Sequence, residues 1–240
     1  QSRIFDPAIG RGHDLLEPVP WAGTSVSGVL NDAWGVVDTP NGYAATASSA
    51  FAQYDEFKGD VLTSGSYFDD DNTIDLVGRG AAWYEAESDL LVVDESVDPH
   101  EVVMVDEQTG EALQVFVFGD TGGTQISPND IAFSADDFFV LAEDDTLYRY
   151  DAFPTFTASP WSADQSTSLS ATTGRGLGYA PSADTLVSVA WDAGASTGEI
   201  RSHSDPLNPS SSQSQLTTGE YYGAGVLDGD VIAVDASRAA

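Results

Sequence analysis

The sequence contains no cysteine and a single lysine, Lys58. Without cysteine the chain cannot form a disulfide, present a thiolate nucleophile, or hold zinc or an iron–sulfur cluster through sulfur. Lysine and arginine together number 8, against 39 aspartates and glutamates, for a formal net charge of −31. Counterion release from a nucleic acid needs clustered Lys and Arg, so no nucleic-acid partner is expected. No apolar run approaches the roughly 20 residues that cross a bilayer, so no membrane span is expected either. Stretches with a 3.6-residue apolar period are also missing, which argues against helices.

What remains is a 240-residue chain that is 41% hydrophobic, enough to bury a full core. Its acid excess costs self-repulsion that salt must screen. Near-complete replacement of lysine by Asp, Glu, Ser and Thr resembles the surfaces of halophilic archaea and salt-loving bacteria. An acidic surface serving solubility or weak divalent-cation binding is the other reading of the same composition. The chain opens at Gln1 rather than methionine, which fits a processed export product or a chain trimmed at its start. The expected location is therefore extracellular or at the cell surface.

The organising signal is internal repetition. A small residue followed by an aromatic or aliphatic one recurs just after Gly, Asn or Asp. It appears as Asn31-Asp32-Ala33-Trp34, Gly80-Ala81-Ala82-Trp83, Asp130-Ile131-Ala132-Phe133, Gly176-Leu177-Gly178-Tyr179 and Gly223-Ala224-Gly225-Val226, at steps of 49, 50, 46 and 47 residues. A polar turn and a second apolar run follow, as in Leu90-Leu91-Val92-Val93, Phe138-Phe139-Val140-Leu141, Leu186-Val187-Ser188-Val189 and Val231-Ile232-Ala233-Val234. Two β-rich segments joined by Asp/Gly turn chemistry predict a hairpin. A third strand ends near a recurrent Asp, most clearly in Thr146-Leu147-Tyr148-Arg149-Tyr150-Asp151, which alternates as a half-buried strand does. Thr109 to Val117 is the best example of a polar fourth strand.

The third-strand aspartates stand at 6, 55, 106, 151 and 205, and a last step of 41 residues returns to the start of the circle. Arg3-Ile4-Phe5-Asp6 supplies the third strand that the C-terminal segment from Gly223 to Asp235 lacks. Leu15-Leu16-Glu17-Pro18-Val19 is a plausible fourth. The expected fold is all-β: a five-bladed β-propeller of four-stranded antiparallel blades, the last closed by N- and C-terminal strands. Its blades run roughly over 29–77, 78–127, 128–173, 174–221, and 222–240 completed by 1–28, within one domain covering 1–240.

Pro128-Asn129-Asp130-Ile131-Ala132-Phe133-Ser134-Ala135-Asp136, continued by Leu147-Tyr148-Arg149-Tyr150-Asp151, resembles the repeat of NHL, YWTD and gluconolactonase-like propellers. Gly176-Leu177-Gly178-Tyr179-Ala180-Pro181 is a second copy. The resemblance implies a propeller fold. Gluconolactonase-like enzymes hold a divalent metal at the centre of six blades, and Asn129 falls where that family often places an Asn ligand. Five-bladed glycoside hydrolases, with three central carboxylates, offer a further comparison onto which Asp6 and Asp130 can be drawn.

In a propeller, the loops entering each first strand and those leaving each second strand open on one rim around the channel, the default place for a ligand. The entering loops supply the binding candidates Asn31, Asp32, Arg79, Asn129, Asp130, Arg175 and Tyr222. The leaving loops supply Asp94, Glu95, His100, Glu143, Asp144, Trp191, Asp192 and Asp235. Arg79 and Arg175 each lie in a Gly-Arg-Gly triplet at the same repeat position. They suit either recognition of a small anion by the guanidinium fork or an ion pair with a neighbouring carboxylate. Asp69, Asp71 and Asp75 form a weak candidate for calcium, the hard cation that clustered carboxylates favour; a solvated acidic turn is the simpler reading. His13, His100 and His203 show no metal-ligand spacing and read as surface residues. Trp34 and Trp83 read as packing residues, while Trp21, Trp161 or Trp191 would suit a carbohydrate platform.

With no catalytic constellation evident, the expected function is a non-catalytic extracellular scaffold or recognition propeller, in which the N-terminal strand is a route to self-assembly. The alternatives are a metal-dependent hydrolase or lactonase at the channel rim, and a calcium-stabilised carbohydrate-binding module.

Overall fold

The computed structural model describes residues 3–5, 35–40, 42–47, 49–55, 61–67, 76–134, 137–152, 159–169, 173–180, 185–192, 197–205, 207, 212–217, 221–227 and 230–235. Every regular element among them is a β-strand. The first is β1 (Arg3–Phe5). One sheet holds β2 (Gly35–Thr39), β3 (Gly42–Thr46), β4 (Ala50–Asp55) and β5 (Val61–Ser66) in sequential order. The next holds β6 (Gly78–Tyr84), β7 (Asp89–Asp94), β8 (Glu101–Val105) and β9 (Ala112–Phe116). After the short β10 (Phe118–Gly119) comes a sheet of β11 (Pro128–Phe133), β12 (Phe138–Ala142), β13 (Thr146–Tyr150) and β15 (Gln165–Ser168). The intervening β14 (Trp161–Ser162) pairs parallel with β10, stitching the second sheet to the third. The fourth sheet is β16 (Thr173–Ala180), β17 (Thr185–Asp192), β18 (Thr197–His203) and β19 (Ser212–Thr217). Finally, β20 (Tyr221–Leu227) and β21 (Asp230–Asp235) pair with each other, and β1 pairs with β21.

The arrangement is propeller-like, with antiparallel strands meandering outward within each sheet. Against the expectation of five four-stranded blades, the described residues form four, and the remaining sheet, β1-β21-β20, has three strands. The fourth strand expected near Leu15 to Val19 lies outside the described residues. Within the three-stranded sheet, Arg3 stands opposite Asp235, Ile4 opposite Val234 and Phe5 opposite Ala233.

The strand sequences follow from where each strand sits. Second strands have a neighbouring sheet on both faces, so they are apolar without alternation: Leu90, Leu91, Val92 and Val93 are all fully buried. The third strand β13 departs from the half-buried alternation expected of it. Tyr148 and Tyr150 enter one core cluster and Leu147 another, so both faces are covered, with Thr146 and Arg149 partly exposed. Outermost β15 is largely solvated. The core accordingly lies between sheets. One cluster joins Leu91, Val93 and Phe116 of the second sheet to Ile131, Phe138 and Tyr150 of the third. Another joins Ala44 and Phe51 to Leu90 and Val103, with Trp83 packed against it. A third joins Leu141 and Leu147 to Leu177 and Leu186.

The recurrent third-strand Asp has a local cause in the second sheet. One Asp106 carboxylate oxygen accepts from the backbone N–H groups of Gln108 (2.9 Å) and Thr109 (2.7 Å), turning the chain into β9. Gly110 completes that turn at φ +86°, a left-handed conformation that favours glycine.

Phe138 lies at the meeting of two sheets, with its ring centroid 5.2 Å from that of Phe118 and 4.7 Å from that of Phe133. Phe138→Ala is expected to destabilise the fold by about 3–5 kcal/mol, read as a lowered denaturant midpoint.

Candidate functional site

The innermost strands contact one another in the cycle β2, β6, β11, β16, β20 and back to β2. Four of these strands break register with their hairpin partner at the same step. In β6 the break falls between Gly78 and Ala81, and in β11 between Pro128 and Asp130. In β16 it falls between Gly174 and Gly176, and in β20 between Tyr221 and Gly223. Arg79 with Gly80, Asn129, Arg175 and Tyr222 occupy these breaks. They are the expected rim residues of their strands. A β-bulge inserts one residue, bends the strand and re-aims side chains, which is why bulges gather beside binding sites.

Arg79 is 14% exposed at its side chain and donates from a terminal guanidinium nitrogen to Glu95 at 2.7 Å, with Glu143 of the next sheet at 4.0 Å. Of the two readings of Arg79, the structure contains the ion pair. The Glu143 side chain, 48% exposed, also stands 3.7 Å from His100 Nε2. His100 Nδ1 lies 2.8 Å from the Pro128 carbonyl, which can only accept, so this nitrogen carries a proton. His100 is buried rather than on the surface, because the hairpin places its ring against the entry to β11. Asn129 is likewise buried.

Asp130 does not open onto the rim. Its side chain is buried in the wall between inner strands. One carboxylate oxygen accepts from Ile131 N–H at 2.8 Å and the other from Leu177 N–H of β16 at 2.6 Å. The Ala81 N–H of β6 supplies a further backbone hydrogen bond. Burial drives its pKa well above the usual carboxylate range, opposed by these N–H donors and by the Arg79 charge. Gly80 makes room for it: a Cβ there would stand 2.1 Å from an Asp130 carboxylate oxygen and 2.6 Å from its Cα. The preceding interface is equally close, since a Cβ on Gly35 would meet the Arg79 carbonyl at 2.6 Å.

The leaving-loop acids divide between turns and rim. Asp94 is buried and accepts from the N–H groups of Val77 (3.0 Å) and Ser96 (2.9 Å). Asp144 accepts from Thr146 N–H at 3.1 Å. Glu95 and Glu143 face Arg79. Asn31, Asp32, Asp69, Asp71 and Asp75 lie outside the described residues, as does His13. For Arg175, Tyr222, Asp192 and Asp235 only the strand position is described. Among the described residues no group of three or more His, Asp and Glu side chains could hold a metal ion. No described helix is long and apolar enough to cross a membrane.

A second polar cluster was not legible in the sequence. His203 of β18 is buried, with Nε2 2.9 Å from the Ser188 hydroxyl of β17. Beside it, Arg201 donates to Glu199 at 2.8 Å and to the Leu169 carbonyl of the preceding sheet at 2.7 Å. Desolvation, aided by the Arg201 charge and opposed by Glu199, lowers the His203 pKa to about 4. The cluster lies within the sheet and works as a neutral hydrogen-bonded core element.

Compared with known proteins, the chain matches no family model and no curated sequence. The class the fold defines is an all-β, propeller-like protein whose inner strands carry a repeated bulge.

Gly80→Ala is expected to cost about 2 kcal/mol or more through overpacking against Asp130, seen in thermal melts. His203 has a folded pKa below its ordinary value of 6.5. Its contribution to stability is therefore complete above about pH 6.5 and declines as pH falls towards about 4, by up to about 3 kcal/mol. Denaturant titrations of the native protein and His203→Gln between those pH values should show a steeper decline in the native protein, since acids such as Asp89, raised to about 6, titrate in both.

Proposed function

We propose that the three-stranded sheet β20-β21-β1 is the fifth blade of a closed ring, and that the ring is a non-catalytic recognition scaffold of a salt-adapted extracellular or cell-surface protein. The fifth-blade reading is supported by β20, which contacts both β16 and β2, so that no gap separates the fourth sheet from the first. Assembly by exchange of β1 would use the same pairing with β21 between neighbouring subunits.

The observation that carries the recognition reading is the bulge repeated at one step of four inner strands. It gives Arg79, Asn129, Arg175 and Tyr222 equivalent positions in their strands, which supports reading them as one set. Hydrolysis or metal binding at Asn129 and Asp130 is disfavoured, because a carboxylate whose oxygens already accept backbone N–H groups is poorly placed to ligate or to exchange a proton.

The rim near Arg79 also favours one ligand class. Its positive charge is matched by Glu95 and faces Glu143, so a free anion gains little. Closely set donors and acceptors of both signs suit a neutral polyhydroxylated ligand, and the proposed ligand is a carbohydrate. Screening the purified protein on a glycan array in high salt, followed by calorimetry, tests this. At least one glycan should bind, Glu143→Gln should weaken it about tenfold, close to 1.4 kcal/mol, and a chelator should change nothing. Binding that vanishes with the chelator would favour the calcium-stabilised module. Absence of any glycan ligand, or a lactonase activity abolished by Asp130→Asn, would remove the proposal.

A further inference from the structure

The outermost strands of the four-stranded sheets read VLTSGS in β5, ALQVF in β9, QSTS in β15 and SQSQLT in β19. None carries a charged residue, although charged residues make up 20% of the chain. The third strands just inside them do, at Asp55, Glu101, Arg149, Glu199 and Arg201. Natural edge strands are usually guarded by charge, and here a strongly acidic chain withholds it.

On the first two sheets these edges carry something more. Pairing of β4 with β5 slips between Gln53 and Tyr54, whose partners are Thr63 and Val61, leaving Leu62 as the extra residue. Pairing of β8 with β9 slips between Met104 and Val105, whose partners are Gln114 and Ala112, leaving Leu113. Leu62 is 50% exposed and Leu113 46%, with Val115 at 37%. Neighbouring sheets thus present a solvent-facing leucine at a bulge of the outer strand. The two edges adjoin: a Cβ on Gly65 would stand 3.3 Å from the Thr109 carbonyl, and one on Gly110 2.4 Å from that of Ser66. The outer strands of the third and fourth sheets pair with no such slip.

We propose that this outer flank, seated on Leu62, Leu113 and Val115, is an interface between two copies of the chain. The occupant follows from charge. Charge is sparse beside the two bulges, where the described carboxylates include Glu107, which accepts from Gln53, and Glu111 before β9, and a basic partner has denser acidic surface to choose elsewhere. A second copy, carrying the same −31, is repelled over most of its surface and approaches best where charge is sparse. The bulges break the flat edge that strand-to-strand extension needs, so the contact is between apolar side chains. The proposal stands independently of the carbohydrate reading.

Salt is the diagnostic variable. The screening length falls from about 10 Å at 0.1 M to about 3 Å at 1 M, so raising salt removes repulsion while apolar contact persists. Sedimentation velocity of the full chain should show a monomer–dimer equilibrium at about 2 M salt, weakened at least tenfold at about 0.1 M. The double variant Leu62→Asp/Leu113→Asp should be monomeric at both, with an unchanged circular dichroism spectrum and melting temperature. Val97→Asp, at an exposed apolar residue away from both outer strands, should dimerise as the native protein does. A protein monomeric at every salt concentration, a dimer that survives the double variant, or a dimer lost equally in Val97→Asp would overturn the proposal.

Discussion

The carboxylate of Asp130 is shared among three neighbouring inner strands: it belongs to β11 and accepts from N–H groups of β6 and β16. A buried charge is costly unless donors surround it, and the donors here are backbone groups of adjoining sheets. Much else depends on this tie. Gly80 must lack a side chain for the carboxylate to pass, and β16 must present Leu177 N–H to the channel wall. Arg79, displaced by the bulge, adds its charge to the same carboxylate while pairing with Glu95. The rim and the wall are therefore two sides of one device. The bulge at Arg79 and the close approach at Gly80 fall at adjacent residues of β6.

The acid excess has a structural share. Asp94, Asp106, Asp120 and Asp144 each accept backbone N–H groups in turns, where a short side chain substitutes for a missing ladder partner. A composition that reads as adaptation to salt thus also reflects how many tight turns a meandering all-β chain requires. Glu95 and Glu143 do different work, setting carboxylates beside the Arg79 guanidinium.

Much of the strand framework was legible because its causes are local. Leu90 to Val93 announce a strand covered on both faces; Tyr148-Arg149-Tyr150 reads as one covered on a single face, yet Leu147 buries the other face against the fourth sheet. The repeat phrase put Asn31, Gly80, Asp130, Gly176 and Gly223 at one equivalent position. Close approach is seen where Gly80 meets Asp130, but in the first sheet the residue set against Arg79 and Ala81 is Gly35, four residues beyond Asn31. That Asp130 fills the space above Gly80 was not visible, since it depends on the offset between strands almost fifty residues apart. The bulges were hidden for the same reason, because a bulge is a relation between two strands; only the Gly-Arg-Gly triplets hinted at it. His203 read as exposed because its partner Ser188 reaches it through cross-strand register. The blade count depended on a segment near Leu15 that composition alone could not fix.

The pairing of β1 with β21 also has a consequence in time. Ile4 and Val234 are separated by nearly the whole chain, and the entropy of closing a loop of that length must be met before the contact returns any energy. The sheets β2–β5, β6–β9 and β16–β19 each assemble from consecutive strands, and β11, β12, β13 and β15 are interrupted only by the short β14, so all four can form while synthesis continues. Of the described strands, β1 is made before all the others and its partner β21 after them. Their pairing therefore joins the earliest and latest described strands, once the sheets between them have had time to form.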